Sequence, residues 1–291
     1  RQAGMTVALA GTGGDELFGG YPSFVELPKM LRAGTWLPRG LDGAIGGTAR
    51  FAGGLLWNQL GQTPPQTRWG KIADVACAAH DLVSLYQTCY ALFTRETQSR
   101  LAAERVQAAQ RAQYFGLPAE TAREWRSRTE GSEILHAISL LELASFIGER
   151  LLRDTDAASM AVSLEVRVPL LDYALCERVA GIDASRRFSP PRKKQLLRGA
   201  ALARLDPALF DRPKSGFVLP IEEWSRRRLQ PEMHALLCDA ALVSRTGLRP
   251  DTVRLLWQSY VAGKPGLYWS RAWSIYVLLS WCQSHDMALA A

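Results

Sequence analysis

Two adjacent carboxylates, Asp15 and Glu16, follow directly on a glycine-rich turn at Gly11, Gly13 and Gly14. The small or apolar residues before them, Val7 to Gly11, read as a short buried strand. A strand that runs into such a turn presents backbone N–H groups to an anion. The carboxylates then stand where a divalent cation bridges them to phosphate. Leu17 and Phe18 form a brief apolar hook, which Gly19-Gly20 ends. Glycines also occupy such turns for backbone reasons alone. The segment is not a dinucleotide fingerprint, because the G-x-G-x-x-G spacing fails at Glu16. Nor is it a P-loop, since no Gly-Lys-Ser/Thr follows.

A second dense stretch runs from Arg153 to Asp172. Asp154 and Asp156 lie one residue apart, and Glu165 and Arg167 alternate with Val166 and Val168 ahead of Pro169. The residue before a proline is pushed to extended geometry. Extended geometry puts Glu165 and Arg167 on one side, within reach of each other. Asp172 fits as the N-cap of a helix over Tyr173–Ala180. An ion pair and a helix cap would account for Glu165, Arg167 and Asp172 without any catalysis. Lys193 and Lys194 belong to a basic cluster with Arg192, and Lys214 lies beside Gly216 in the loop Arg212–Pro220. Either lysine segment could reach a phosphate.

The elements that must position these groups are mostly helical. Ser23–Leu31 reads as a short helix, and Ala33–Gly70 is rich in Gly and Pro. Helical spacing of apolar residues runs from Lys71 to Ala108, with a break at Gly116-Leu117-Pro118. A long helix is expected over Ser132–Leu152, with Ile134, Ile138, Leu141, Ile147 and Leu151 on its apolar face. Ser189 and Pro190 read as N-cap and N1 of a helix reaching about Leu205. Another helix starts at Pro250-Asp251 and ends near Gly263, and Ser270–Cys282 forms the last.

The chain has 291 residues, 47% hydrophobic and 22% charged, enough for one large or two moderate domains with a real core. It opens at Arg1 without an initiator Met and reads as a piece of a longer protein. Five scattered cysteines without a C-x-x-C pair argue against a disulfide framework or a zinc site, and point to a reducing, cytoplasmic setting. Four isolated histidines show no ligand spacing. The net charge is +7, with basic clusters at Arg186-Arg187, Arg192–Lys194 and Arg226–Arg228. These lack interleaved aromatics and read as solvated faces, so nucleic acid is not an expected partner. No apolar run approaches the roughly 18 residues of a membrane span.

Three stretches, in this order, resemble the synthetase domain of glutamine-dependent asparagine synthetases: LAGTGGDELFGGY at Leu9–Tyr21, LLRDTDAASMAVSLEVRVPLLD at Leu151–Asp172, and KQLLRGA with RPKSGFVLPIEEW at Lys194–Trp224. The resemblance implies an α/β ATP-pyrophosphatase-type fold, the adenine nucleotide α-hydrolase-like class. Residues 1–291 would be the C-terminal part of one such domain, mostly α-helical, without the upstream pyrophosphate loop or the N-terminal glutaminase domain. It also implies the reaction: ATP activates a carboxylate as acyl-AMP, and glutamine-derived ammonia displaces AMP. Aspartate is the expected acceptor, with another small carboxylate as the rival, and a non-catalytic scaffold as a second rival. A homodimer is one open assembly.

The resemblance also implies site roles. Asp15 would hold Mg²⁺, and Ala10 and Gly11 would touch ATP through their backbone. Lys193 or Lys194 would face the pyrophosphate, in a register the sequence leaves open. Asp154, Asp156, Glu165 and Arg167 would line the acceptor side. Many members read S-G-E-G-x-D-E at the first motif, where this chain has Ala10-Gly11-Thr12-Gly13-Gly14-Asp15-Glu16. Thr12 therefore replaces a glutamate used in forming and aminating the intermediate. A hydroxyl is not a base at neutral pH. Glu16 is the nearest substitute in sequence. Asp154 and Ala157 likewise fall where many members carry basic residues.

Overall fold

The computed structural model describes residues 4–37, 69–104, 106, 116–189, 192–206 and 219–287. Most of the Gly/Pro-rich stretch, Pro190, and the loop expected over Arg212–Pro220 except Leu219 and Pro220 lie outside the described residues. The described residues are mostly helical. Their strands are β1 (Val7–Leu9) and β2 (Glu165–Arg167). The chain divides into two compact units. The first comprises Arg1–Arg32 with Glu120–Lys214, and the second Ala33–Ala119 with Ser215–Ala291.

In the first unit β1 and β2 pair in parallel, with Val7 opposite Glu165, Ala8 opposite Val166 and Leu9 opposite Arg167. The Ala10 N–H donates to the Arg167 carbonyl at 2.9 Å and the Glu165 N–H to the Thr6 carbonyl at 2.9 Å. The expectation of a buried strand is corrected: Val7 is 38% and Leu9 74% exposed. Side chains alternate along a strand, and among the described residues no layer covers the Val7–Leu9 face of this two-stranded sheet.

The expected apolar hook is a one-turn helix, Gly14–Phe18, with Gly13 at its N-cap and Gly19 at its C-cap, both left-handed. Gly13 is required twice over. Its φ is +99°, and a Cβ there would lie 2.5 Å from Leu171 Cδ2. Leu17 and Phe18 bury themselves with Val179, Leu143 and Leu175 packed around them. That burial, at roughly 1.5–3 kcal/mol per large apolar side chain, fixes a helix too short to hold by backbone bonds alone.

The helix expected to end near Leu152 runs on. Ile134–Leu141 is α-helical, Glu142–Leu151 continues with wider π-helical turns, and Leu152–Met160 returns to α. No breaker lies between Leu152 and Met160, and the exposed Asp154 and Asp156 cost nothing in desolvation there. Ile138, Leu141 and Ile147 are buried as the apolar face requires, while Leu151 is only half-buried. The Asp172 carboxylate accepts from the Leu175 N–H at 3.2 Å and caps the helix Tyr173–Ala180, as its position predicts. The helix read from Ser189 opens instead at Gln195. Lys194 is its N-cap, with φ +56°, a conformation that interrupts a helix from Ser189.

The second unit is helical. Its core centres on Met233, Leu237, Val243, Val253, Trp257, Tyr260 and Leu279, drawn mainly from helices Gln230–Cys238, Pro250–Val261 and Trp269–Ser284. The helix at Pro250 starts where the sequence placed it. Among the described residues no helix is long and apolar enough to cross a membrane. Arg226, read as part of a solvated cluster, instead lies 4.2 Å from the Tyr260 ring and donates to the Tyr260 carbonyl at 2.7 Å.

Candidate functional site

The parallel register of β1 and β2 brings the first and second motifs side by side. The helix Gly14–Phe18 then carries Asp15 off the end of β1. Asp15 and Lys194 form an ion pair, Oδ1 to Nζ at 3.1 Å, with each side chain about one-quarter exposed. This contact joins the first motif to the third. Of the two lysines, Lys194 meets Asp15, whereas Lys193 is exposed. Lys194 takes a left-handed backbone to do so. A non-glycine residue held there costs on the order of 1 kcal/mol and is characteristic of functional positions.

Gly20 seats the Asp15 side chain. A Cβ on Gly20 would fall 1.7 Å from Asp15 Oδ1 and 2.5 Å from Cγ. The Gly20 N–H also donates to the Asp15 carbonyl at 2.7 Å. Gly11 is different. Its φ is not left-handed, and a Cβ there meets no described atom within 4 Å. Nothing in the described fold requires glycine at position 11, so its bareness fits close approach by a ligand. Thr12 is half-buried beside it, and Ala10 is held to β2 through its backbone.

Glu16 does not share the open side with Asp15. It is 1% exposed, and the Tyr21 hydroxyl donates to its Oε1. Adjacent helical residues point about 100° apart, so a carboxylate next to an exposed one turns inward. Burial, reinforced by the Glu16 carboxylate, pushes the Tyr21 phenol well above the ordinary phenol range. Tyr21 also meets Phe146 edge-on, ring centres 5.6 Å apart. The first motif thus staples itself: Glu16 ties the return leg at Tyr21 to the helix. The Glu16 carbonyl takes the Ser139 hydroxyl at 2.8 Å.

Glu165 and Arg167 pair on β2, Arg167 Nε to Glu165 Oε1 at 2.7 Å, both exposed, as extended geometry demands. The same hydrogen bond raises the Arg167 pKa. Asp154 and Asp156 are both exposed on the helix that precedes β2. Two residues apart on a helix is about 200°, so the structure does not bring these two carboxylates together.

Sequence reasoning missed Arg187. The pair Arg186-Arg187 read as a solvated face, but Arg187 is 4% exposed. Its Nε donates to the Leu17 carbonyl at 2.6 Å and its Nη2 to Ser139 Oγ at 2.8 Å. Burial lowers its pKa to about 10, so it remains cationic at neutral pH. Ala184 and Phe188, both buried, flank it in sequence and are the signal that could have marked this arginine as internal.

Among the described residues no group of three or more His, Cys, Asp or Glu side chains could hold a metal ion. Mg²⁺ is bound through one or two carboxylates, with waters and substrate phosphates completing its shell. Asp15, on the half-open side of its helix and oriented by Lys194, fits one such ligand. Glu16, buried and engaged by Tyr21, does not fit as a second.

The family model described as asparagine synthase matches residues 1–283. An asparagine synthetase (glutamine-hydrolysing) of Bacillus subtilis strain 168 is 24% identical over 282 residues, covering 95% of this chain and 40% of that protein. Proteins of Mycobacterium bovis and Mycobacterium tuberculosis, provisionally named glutamine-hydrolysing asparagine synthetase, are 26% identical over 227 residues, 76% of this chain and 31% of theirs. The chain therefore spans well under half the length of these curated relatives. No solved structure gave a significant match.

Proposed function

This chain belongs to the asparagine synthase family, and from that premise we propose that it is the C-terminal part of an ATP-dependent synthetase domain of the α/β ATP-pyrophosphatase type. The reaction is activation of a carboxylate as acyl-AMP, followed by displacement of AMP by glutamine-derived ammonia. Aspartate is the first acceptor to consider, because the matched relatives carry the asparagine synthetase name. The observation that carries this reading is the Asp15–Lys194 pair at the end of β1. It unites the first and third motifs at a carboxylate and a cation, the two charges that a leaving pyrophosphate needs handled.

In this reading the Ala10 and Gly11 backbone lines the nucleotide, and the absent Cβ at Gly11 admits it. Mg²⁺, held by Asp15, would offset the repulsion between the acceptor carboxylate and the triphosphate. Lys194 orients Asp15 and offers a cation to the pyrophosphate; Lys193, exposed beside it, adds charge to the approach. The Glu165–Arg167 pair on β2, with Asp154 and Asp156 on the preceding helix, stands on the acceptor side. Thr12 sits where a base is expected. Glu16 is committed to Tyr21, so general-base work falls to a group other than these two, or to the substrate itself. That leaves a related amide or lactam ligase, acting on a different carboxylate, as the second reading, and Thr12 is the observation that favours it.

The test uses full-length protein with ATP, Mg²⁺, glutamine and aspartate labelled with ¹⁸O in its side-chain carboxylate. Acyl-adenylate chemistry transfers one labelled oxygen to AMP. Unlabelled AMP, or ADP in its place, would refute the mechanism. Labelled AMP from another carboxylate, with none from aspartate, would establish the ligase alternative.

A further inference from the structure

The first unit contains a cavity of about 410 Å³ that no step of the proposed reaction uses. Its walls include Leu17, Leu140, Leu143 and Ala180, with His136, Cys176 and Arg187 among the polar groups. Leu17 lies about 200° around the helix from Asp15, so the cavity is on the far side of that helix from the Asp15–Lys194 pair.

Arg187 is the unusual feature. A buried cation ordinarily has an anionic partner, because desolvating an unpaired charge costs several kcal/mol. Arg187 has none among the described residues. Its Nε and Nη2 are taken by the neutral Leu17 carbonyl and Ser139 hydroxyl, and Nη1 has no acceptor among the described residues. The carbonyl end of the helix Gly14–Phe18 and the Phe188 ring, whose centre lies 4.7 Å from the guanidinium carbon, offset only part of the charge. Glu177 stands at the rim, exposed, and makes no ion pair with Arg187. His136 donates through Nε2 to the Ile182 carbonyl at 3.1 Å and meets Phe188 edge-on.

We propose that this cavity is a binding site for a small organic carboxylate, held through Nη1 of Arg187 with its apolar body against Leu17, Leu140 and Leu143. The class follows from the walls. One unpaired guanidinium matches one negative charge. The aliphatic lining favours a ligand with hydrocarbon attached over inorganic phosphate, which carries up to two charges and no apolar surface. The volume is that of an ordinary small-molecule site.

Cys176, in the same lining, reports on occupancy. Burial, with the Asp172 carboxylate, raises its thiol pKa, so little of the reactive thiolate is present at neutral pH, and Arg187 draws it back down. Neutral iodoacetamide normally outpaces iodoacetate toward thiolates. When iodoacetate itself is held through its carboxylate beside a cysteine, that order reverses. The experiment alkylates the protein with each reagent and measures modification of Cys176 and Cys238 by mass spectrometry. The iodoacetate-to-iodoacetamide ratio should be roughly tenfold or more higher at Cys176, the scale of one charge-assisted hydrogen bond. Hexanoate should protect Cys176 saturably, and phosphate at equal concentration should not. Arg187→Met should abolish the preference. Because that variant also loses the Leu17 and Ser139 contacts, Ala180→Phe is the companion. Ala180 is exposed on the cavity wall, so filling the space from there should abolish hexanoate protection with an unchanged circular dichroism spectrum. Equal ratios at the two cysteines, protection by phosphate alone, or undiminished protection in Ala180→Phe would overturn the proposal.

Discussion

Replacing Tyr21 with phenylalanine isolates one hydroxyl. The ring keeps its edge contact with Phe146, and only the donor to Glu16 is removed. Glu16 is 1% exposed, so its carboxylate cannot recover that hydrogen bond from bulk water. A hydrogen bond to a charged group contributes roughly 1.5–3 kcal/mol, and stranding a buried acceptor puts the loss at the upper end, about 3 kcal/mol. With a urea slope of roughly 2 kcal/mol per M, the midpoint should fall by about 1.5 M at neutral pH. The difference should also depend on pH. The folded phenol is raised above its unfolded value by burial and by Glu16. Its stabilisation is therefore complete below pH 10 and declines above it, where the unfolded chain ionises first and the folded phenol holds its proton. Tyr21→Phe lacks that titration. The gap between wild type and variant should close by up to about 1.4 kcal/mol per pH unit above pH 10. Urea titrations followed by circular dichroism at pH 7.5, 10 and 11 measure both effects. Coincident curves at pH 7.5, or a gap that stays constant through pH 11, would refute the stapling role of Tyr21 and Glu16.

Four further outcomes are expected. Asp15→Asn in full-length protein should lower ATP–pyrophosphate exchange by on the order of a hundredfold, the scale of a major electrostatic contact; unchanged exchange would reduce Asp15 to a turn residue. Gly20→Ala should displace the Asp15 side chain, cost about 1–3 kcal/mol through overpacking, and depress exchange along with Asp15→Asn; retained exchange would show that the Asp15 position in the site is unimportant. Thr12→Glu should raise aspartate-dependent AMP formation, and a fall from an efficient wild-type rate would mark Thr12 as neutral variation. Asp172→Ala should destabilise the first unit by about 1 kcal/mol through loss of the helix cap to Leu175, read as a shifted urea midpoint with exchange activity preserved once folded.

Local chemistry determined much of this protein from its sequence. Asp172 caps a helix because its position before Tyr173 leaves an orphan N–H in reach, and Glu165 meets Arg167 because extended residues two apart share a side. The helix at Pro250 likewise begins where its N-terminal signal lies. The three motifs sufficed to point to the family, whose model matches residues 1–283. What the sequence could not decide were contacts between distant segments. Lys193 and Lys194 are equivalent as letters; the left-handed turn at Lys194 selects the one that meets Asp15. Asp15 and Glu16 read as a pair of ligands, but successive helical residues diverge, and burial sends Glu16 to Tyr21. Arg187 read as surface charge because the basic dipeptide itself carries no mark of depth, and its apolar neighbours Ala184 and Phe188 are only a local hint. Only the packing of Leu17 and Ser139 around it, from positions far along the chain, makes it an internal cation.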